Sequence, residues 1–156
     1  MRLHVCAVGR MRTGPERALL DDYLSRFERA GRPLSLGPFL EHEIDERKAT
    51  TSDAQGIALL RAVPDGATLV ALDERGRQMS SPQMANWLEQ TRDKGTSDLA
   101  FVIGGADGLA PEVIARADLM ISLGQMVWPH KLVRVMLAEQ VYRAATILAG
   151  TPYHRA

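Results

Sequence analysis

The chain has 156 residues, 46% of them hydrophobic, which is enough for one substantial core and hardly for two, so a single domain is expected. Its 19 basic and 19 acidic side chains cancel, which argues against nucleic-acid binding driven by overall charge but leaves room for a local basic patch. Cys6 is the only cysteine and lies in an apolar run, which excludes an intramolecular disulfide and a thiolate metal cluster. With no signal-like start and no long apolar segment, the sequence predicts a soluble cytoplasmic protein.

The first half of the chain alternates strand and helix patterns. Residues 2–9 form an apolar run that predicts a strand, and residues 15–30 carry apolar side chains at helical spacing (Leu19, Leu20, Tyr23, Leu24 and Phe27). A weaker strand is predicted over residues 34–40. The charged run 41–48 indicates a flexible loop, and a helix follows from about residue 52 to residue 62.

The second half continues the alternation. Strands and helices are predicted in turn at residues 68–72, 81–93, 99–103, 111–116, 119–123 and 130–148. The first of these strands is expected to end in the turn Asp73-Glu74-Arg75-Gly76. Five apolar strands separated by helices predict an α/β fold with a mostly parallel sheet and helices on both faces.

Three strand ends are the first candidate site, because ligands in such sheets bind outside the carboxyl ends of the strands. These ends are Leu72-Asp73, Ile103-Gly104-Gly105, and the loop from Leu123 to Trp128. The Gly-Gly-x-x-Gly spacing that ends at Gly108 is neither a dinucleotide fingerprint nor a phosphate-binding P-loop. A tight turn between strand and helix explains these glycines equally well.

The final helix is the second candidate. Its core face is predicted to consist of apolar side chains, namely Leu132, Val133, Met136, Leu137, Val141 and Leu148. His130, Arg134 and Arg143 lie outside this pattern. From residue 130 to the end, four basic side chains (Lys131, Arg134, Arg143 and Arg155) and two histidines stand against one acid, Glu139, which makes this segment the expected anion-facing surface. Two structural alternatives remain open, a capping or packing role for His130 and a surface ion pair between Glu139 and Arg143.

The chain ends in Thr-Pro-Tyr-His-Arg-Ala. Tyr153, His154 and Arg155 offer a stacking ring, an imidazole and a guanidinium in consecutive positions. This combination can stack on a base and hold its edge or phosphate, although a disordered tail of the same composition is an open alternative.

Three motifs in the same order closely resemble the small bacterial RlmH-type methyltransferases of the SPOUT superfamily. They are Ile-Gly-Gly-Ala-Asp-Gly-Leu at 103–109, Pro-His-Lys-Leu-Val-Arg-Val at 129–135 with Glu139 and Tyr-Arg-Ala at 142–144, and Pro-Tyr-His-Arg at 152–155. The opening Leu-His-Val-Cys-Ala-Val-Gly and the chain length match as well. The resemblance therefore covers essentially the whole chain.

The resemblance implies an S-adenosyl-L-methionine-dependent methyltransferase that acts on N3 of a pseudouridine in a 23S rRNA stem-loop, on assembled ribosomes. It implies a homodimer, no metal, no membrane, and a C-terminal trefoil knot that holds the cofactor. The implied cofactor-binding residues are Leu72, Gly104, Gly105, Leu123, Gly124, Gln125, Met126, Val127 and Trp128. The implied catalytic residues are His130, Arg143, Tyr153, His154 and Arg155. The loop 124–128 departs from the sequence common in relatives, which puts its side-chain contacts with the cofactor in doubt.

Methyl transfer needs an in-line approach of the two reacting atoms, so positioning is expected to matter more than acid-base catalysis. The N3 proton must still leave, and His130, His154 and Arg143 are the candidates to assist. Three other functions are open: a ribosome assembly factor without catalysis, a nucleotide-dependent oxidoreductase, and a tRNA methyltransferase. The first turn, residues 8–14, lacks the glycine fingerprint that the oxidoreductase would need.

Overall fold

The computed structural model describes residues 1–155. The elements in chain order are β1 Arg2–Val8, α1 Pro15–Gly31, a 3-10 turn Arg32–Leu34, β2 Phe39–Ile44, α2 Ser52–Ala62, β3 Thr68–Gln78, α3 Ser81–Asp93, β4 Asp98–Ile103, α4 Pro111–Arg116, β5 Leu119–Ser122 and α5 His130–Ala149. Helix α3 begins at a capping box in which Ser80 and Gln83 bond each other's backbone N–H. Helix α5 ends at Gly150, whose φ of 67° suits a residue without a side chain.

The five strands form one sheet in the order β2-β1-β4-β3-β5, and every neighbouring pair is parallel. Helices α1, α3 and α5 pack on one face, where Leu20, Leu88 and Leu137 are buried against the sheet. Helices α2 and α4 cover the other face through Leu59 and Val113. The predicted parallel sheet with helices on both faces is confirmed.

The predicted strand at 34–40 and loop at 41–48 were wrong. Residues 39–44 form β2, which lies at the sheet edge and pairs with β1. An edge strand buries few side chains, and in β2 only Phe39 is buried, so the apolar pattern that marks a strand is missing. The charged residues Glu41 and Glu43 instead bond to arginines from the helices.

The predicted end of β3 at the turn 73–76 was also wrong, because the strand runs on to Gln78. Leu72 and Arg77 both lie opposite Ile121 of β5, so residues 73–76 leave the ladder and the strand then resumes. A Cβ atom at Gly76 would lie 2.6 Å from the carbonyl carbon of Ile121. Two chain segments therefore cross in close backbone contact at this point.

Side chains predicted on core faces are at least partly buried, with two exceptions. Cys6 is fully buried as expected, and burial raises the pKa of its thiol to about 12. Leu19 and Leu132, both predicted on core faces, are 45% and 37% exposed. No helix within residues 1–155 is long and apolar enough to cross a membrane.

Candidate functional site

The three predicted strand ends meet around one cavity of about 480 Å³, which we call the strand-end cavity. This volume is in the range of small-molecule sites in proteins. The wall consists of the ends of β3, β4 and β5, the loops that follow them, and the first turns of α5. Its lining residues are Leu72, Asp73, Glu74, Arg75, Ile103, Gly104, Gly105, Ala106, Asp107, Gly108, Leu109, Ile121, Ser122, Leu123, Gly124, Met126, Val127, Trp128, His130 and Val133.

The glycines after β4 build a tight turn in this wall. The Gly108 N–H donates to the Gly105 carbonyl at 3.0 Å, and Gly108 has a φ of 76°. A Cβ atom at Gly104 would lie 2.5 Å from the Gly108 carbonyl group, so a side chain at 104 would collide with backbone. The alternative of a tight turn is thus correct, and the turn brings backbone groups to the cavity.

The loop after β5 forms the opposite wall. Ser122 Oγ donates to the Gly124 carbonyl at 3.0 Å and accepts from the Gly124 N–H at 3.1 Å, which fixes the start of the loop. Met126 and Val127 are 73% and 87% exposed although both are large and apolar. Gln125 is the one predicted cofactor-binding residue that does not line the cavity.

Carboxylates at the rim of the cavity were given no role from the sequence, although Asp73 was named there at a strand end. Asp73 and Glu74 line it, and Asp73 accepts from the Arg75 guanidinium at 2.8 Å. This bond holds the pKa of Asp73 below its usual range, so its carboxylate is ionised at neutral pH. The sequence signal was present, because Asp73 follows a buried strand, but it was interpreted as part of a turn.

His130 is the predicted catalytic residue that lines this cavity. Its imidazole lies over the end of β1, where a Cβ atom at Gly9 would be only 3.3 Å from His130 Nε2. The glycine at position 9, with a φ of 101°, therefore leaves the space that the imidazole occupies. A packing role and a place in the cavity wall are both realised.

The prediction that Arg134 lies on an anion-facing surface was wrong. Its side chain is fully buried, and Nη1 donates to Glu43 at 2.6 Å and to Glu41 at 3.2 Å. Nη2 donates to the Gly9 carbonyl at 2.9 Å. A buried arginine needs such partners, and two carboxylates from the charged edge strand provide them. Arg134 thus ties helix α5 to β1 and β2.

The tail is ordered against the second half of α5. Glu139 accepts hydrogen bonds from Arg143 Nε and from the Tyr153 hydroxyl, both at 3.0 Å. The Arg143 guanidinium lies 4.8 Å from the Tyr153 ring centre, and its Nη1 is 3.3 Å from His154 Nδ1. Burial, followed by hydrogen bonds to Tyr23 and Glu139, raises the pKa of Tyr153. We call Glu139, Tyr142, Arg143, Tyr153 and His154 the tail cluster.

The structure brings Arg143, Tyr153 and His154 together but separates them from His130. Arg143 lies thirteen positions after His130 on the helix, which corresponds to roughly 20 Å along the axis of α5. Arg155 is exposed next to the cluster. Glu139, which holds the cluster together, was seen in the sequence only as an ion-pair partner of Arg143.

Comparison with known proteins decides the family. The family model described as "Predicted SPOUT methyltransferase" matches residues 1–154. Proteins named ribosomal RNA large subunit methyltransferase H are similar along nearly their whole length. Those of Cereibacter sphaeroides, Ruegeria sp. and Roseobacter denitrificans are 61%, 57% and 59% identical over 155 residues, which is 99% of each chain in every pair.

The chain belongs to the SPOUT methyltransferase family. The family resemblance stated from the sequence is therefore confirmed, and membership implies a methyl-donor cofactor. Within residues 1–155 of this SPOUT protein, no group of three or more His, Cys, Asp or Glu side chains is arranged to hold a metal ion.

A second depression of this SPOUT protein, the side groove, has a volume of about 620 Å³ and is more apolar than the strand-end cavity. It runs between α1, α3 and α5 and includes Leu19, Tyr23 and Glu139 of the described residues. The segment 121–124 borders both the side groove and the strand-end cavity. The two depressions therefore share one wall.

Proposed function

We propose that this protein transfers a methyl group from S-adenosyl-L-methionine to N3 of a pseudouridine in a stem-loop of 23S ribosomal RNA, in the cytoplasm and on assembled ribosomes. The proposal treats the chain as one SPOUT domain with a trefoil knot near its C-terminus. The strand-end cavity carries it, because this cavity joins glycine backbone, apolar walls and an imidazole. The relatives named ribosomal RNA large subunit methyltransferase H supply the class of substrate.

The cavity fits the cofactor in both size and chemistry. S-adenosyl-L-methionine supplies an electrophilic methyl group on a sulfonium. Leu72, Leu123 and Trp128 offer apolar surface, while Gly104, Gly105 and Gly124 allow close approach to main-chain N–H and C=O groups. Met126 and Val127 would cover the cofactor from the exposed loop. The Asp73 carboxylate is paired with Arg75, so Glu74 is the rim carboxylate that adds negative charge, which suits a ligand with cationic groups.

His130 is the residue of the cavity wall that is suited to assist loss of the N3 proton. Its imidazole can hydrogen bond to N3 and accept that proton while the base is held in line with the methyl group. Because the reaction needs no covalent intermediate on the protein, positioning supplies most of the rate acceleration. The residues that fix the base are therefore as important as any base.

The tail cluster is proposed to act on the active site of a second protomer. Within one chain, Glu139 of the cluster lies nine positions after His130, roughly 14 Å along α5, and Arg143 lies roughly 20 Å away. These separations are too large for Tyr153 to stack on a base in the strand-end cavity. The apolar side groove and the exposed Leu19 and Leu132 offer a surface that a partner can cover. Because the groove shares residues 121–124 with the cavity, a partner docked there would reach the cavity wall.

In such a homodimer, Tyr153 would stack on the target base or its neighbour. Arg143, His154 and Arg155 would hold base edges and phosphates. Each active site would then combine a cofactor cavity of one subunit with the tail of the other.

The test is to incubate the protein with methyl-labelled S-adenosyl-L-methionine and ribosomes that either contain or lack the pseudouridine. We expect one labelled nucleotide in 23S rRNA, found only when the pseudouridine is present. Label in tRNA would overturn the substrate, and failure to bind the cofactor in calorimetry would favour an assembly factor. A monomer in solution with full activity would overturn the composite site.

A further inference from the structure

Four cations form a patch beside the strand-end cavity. Arg10 and Arg12 lie on the turn after β1, Arg47 lies in the loop after β2, and Lys131 lies in the first turn of α5. They surround a shallow depression of about 260 Å³. We call these four residues the basic patch. The sequence predicted an anion-facing surface in the C-terminal segment, and Lys131 is the only residue of that segment in the basic patch.

The turn that carries Arg10 and Arg12 is fixed by hydrogen bonds to its backbone. The Met11 N–H donates to Glu43 at 2.7 Å, and the Met11 carbonyl accepts from Arg17 at 3.1 Å. Arg134 binds the Gly9 carbonyl from the protein interior. Met11 itself is buried, so the two arginines on either side of it project outward. The patch is therefore prearranged and does not depend on a flexible loop.

The patch keeps free positive charge. Arg12 and Lys131 are exposed and form no ion pair or side-chain hydrogen bond with any of residues 1–155. Asp45 and Glu46 also line the depression. Asp45 forms ion pairs with Arg47 at 3.2 Å and with Arg10 at 3.6 Å. The hydrogen bond from Arg47 lowers the pKa of Asp45 to about 2. Two carboxylates against four cations leave a positive surface.

The position of the patch connects it to the site. Lys131 follows His130, which lines the strand-end cavity, and Arg10 follows Gly9, over which the His130 imidazole lies. A nucleotide whose base enters the cavity must leave its sugar-phosphate chain outside the mouth. Arg12 and Lys131 of the patch are free cations on this side. Contacts to phosphates position a nucleic acid without reading its sequence.

We infer that the basic patch binds the phosphodiester backbone of the RNA whose base enters the strand-end cavity, with Arg12 and Lys131 as its main contacts. This inference rests on the proposed function, which it extends to the substrate-binding residues. A protein with no net charge needs such a local surface, because its overall charge contributes no attraction. The patch therefore governs substrate binding and not the chemical step.

The experiment compares the wild-type protein with the double variant Arg12→Gln/Lys131→Gln. Methyl transfer to ribosomes and binding to a 23S rRNA stem-loop oligonucleotide are measured over a series of salt concentrations. We expect KM and the oligonucleotide Kd to rise at least about tenfold, with kcat and cofactor affinity within about twofold. The slope of log affinity against log salt should shrink by about 1.4, or about 0.7 for each lost contact on single-stranded RNA.

The control is the double variant Arg29→Gln/Arg61→Gln. It removes the same charge from exposed positions in the last turns of α1 and α2, and it should behave as wild type. Equal losses in both double variants, or an unchanged salt slope in the first, would overturn the inference. If the wild type binds the oligonucleotide through the patch but transfers no methyl group, the proposed function fails and the patch stands. A wild type that binds neither the oligonucleotide nor ribosomes overturns the patch.

Discussion

Helix α5 carries two arginines that look alike in the sequence and differ completely in the fold. Arg134, in the first half, is fully buried and bonds to Glu41, Glu43 and the carbonyl of Gly9. Arg143, in the second half, is partly exposed and stacks on Tyr153 while it pairs with Glu139. The first arginine joins secondary-structure elements, and the second is the one that we propose contacts the RNA.

The difference shows that the surroundings of a cation decide its role. A buried guanidinium with several fixed partners contributes to stability and cannot leave them to meet a substrate. A guanidinium at a surface, held by one carboxylate and one ring, keeps donors for a phosphate or a base edge. We therefore expect the first half of α5 to govern stability, and we propose that the second half contacts the RNA.

The largest expected effect is on catalysis at the second half of the helix. Arg143→Ala, or deletion of residues 153–156, should lower methyl transfer by at least about a thousandfold, roughly 4 kcal/mol of transition-state stabilisation. Cofactor affinity should stay within several-fold, because the strand-end cavity is built from other residues. Transfer to ribosomes and calorimetry with S-adenosyl-L-methionine measure the two effects.

Arg116→Ala is the control, since Arg116 of α4 also forms an exposed ion pair, with Asp118, and α4 lies on the opposite face of the sheet from α5. It should leave both transfer and cofactor binding unchanged. Loss of cofactor binding on tail deletion would contradict the division between cavity and RNA-holding residues.

The next effect is on stability at the first half of the helix. Arg134→Met should lower the free energy of unfolding by about 3 kcal/mol, because Glu41 and Glu43 would lose their shared buried cation. Arg134→Lys should recover only part of this free energy, because a single ammonium cannot reach both the carboxylates and the Gly9 carbonyl. Urea unfolding measures the change. If Arg134→Met has wild-type stability, the buried Arg134 does not stabilise the fold and the contrast with Arg143 is wrong.

The sequence predicted most of the fold because most strands of this sheet are buried on both faces. Such strands are continuous apolar runs, and the predicted bounds of α2, α3 and α4 agree with the structure. Strand β2 was missed because an edge strand buries little, and Glu41 and Glu43 look solvated until Arg134 is placed beside them. The extension of β3 beyond Gly76 depends on its crossing with Ile121, a contact between residues far apart in the chain.

The candidate site also has parts that the sequence could predict and parts that it could not. The convergence of Leu72, Gly104 and Leu123 could be predicted, since parallel strands end at the same edge of a sheet. The burial of Arg134 could not, because helical periodicity gives the face of a side chain and not the charges opposite it. The separation of His130 from the tail cluster follows from the length of α5 and was available from the sequence.

A smaller effect is expected at Gly104, in the wall of the cavity. Gly104→Ala would place a Cβ atom 2.5 Å from the Gly108 carbonyl, and relief of this clash should cost about 2 kcal/mol and reduce cofactor affinity about tenfold. At Gly105 a Cβ atom would meet the side chains of Val8 and Gln55 at 3.1 and 3.2 Å, which can adjust. Gly105→Ala should therefore be milder in calorimetry and in urea unfolding. Equal effects would show that the backbone turn is not what shapes the cavity.

The smallest effect concerns an ion pair at the beginning of β4, away from both halves of α5. Asp98 accepts from Arg2 and lies 2.8 Å from His4 Nε2, and the bond to Arg2 lowers the pKa of Asp98 to about 2. A lowered pKa stabilises the fold above the unfolded value of about 4, and this contribution is lost as the pH falls from about 4 to 2. Arg2 is 58% exposed, so solvent screens the pair and the shift in urea midpoint should be modest.

Asp45 and Asp73 also have lowered pKa values, so the difference between wild type and Asp98→Asn isolates the Asp98 contribution. We expect that difference in urea midpoint to be largest near pH 6 and to shrink toward pH 2, with methyl transfer at neutral pH unchanged. A constant difference across this range would show that the carboxylate charge of Asp98 does not contribute to stability.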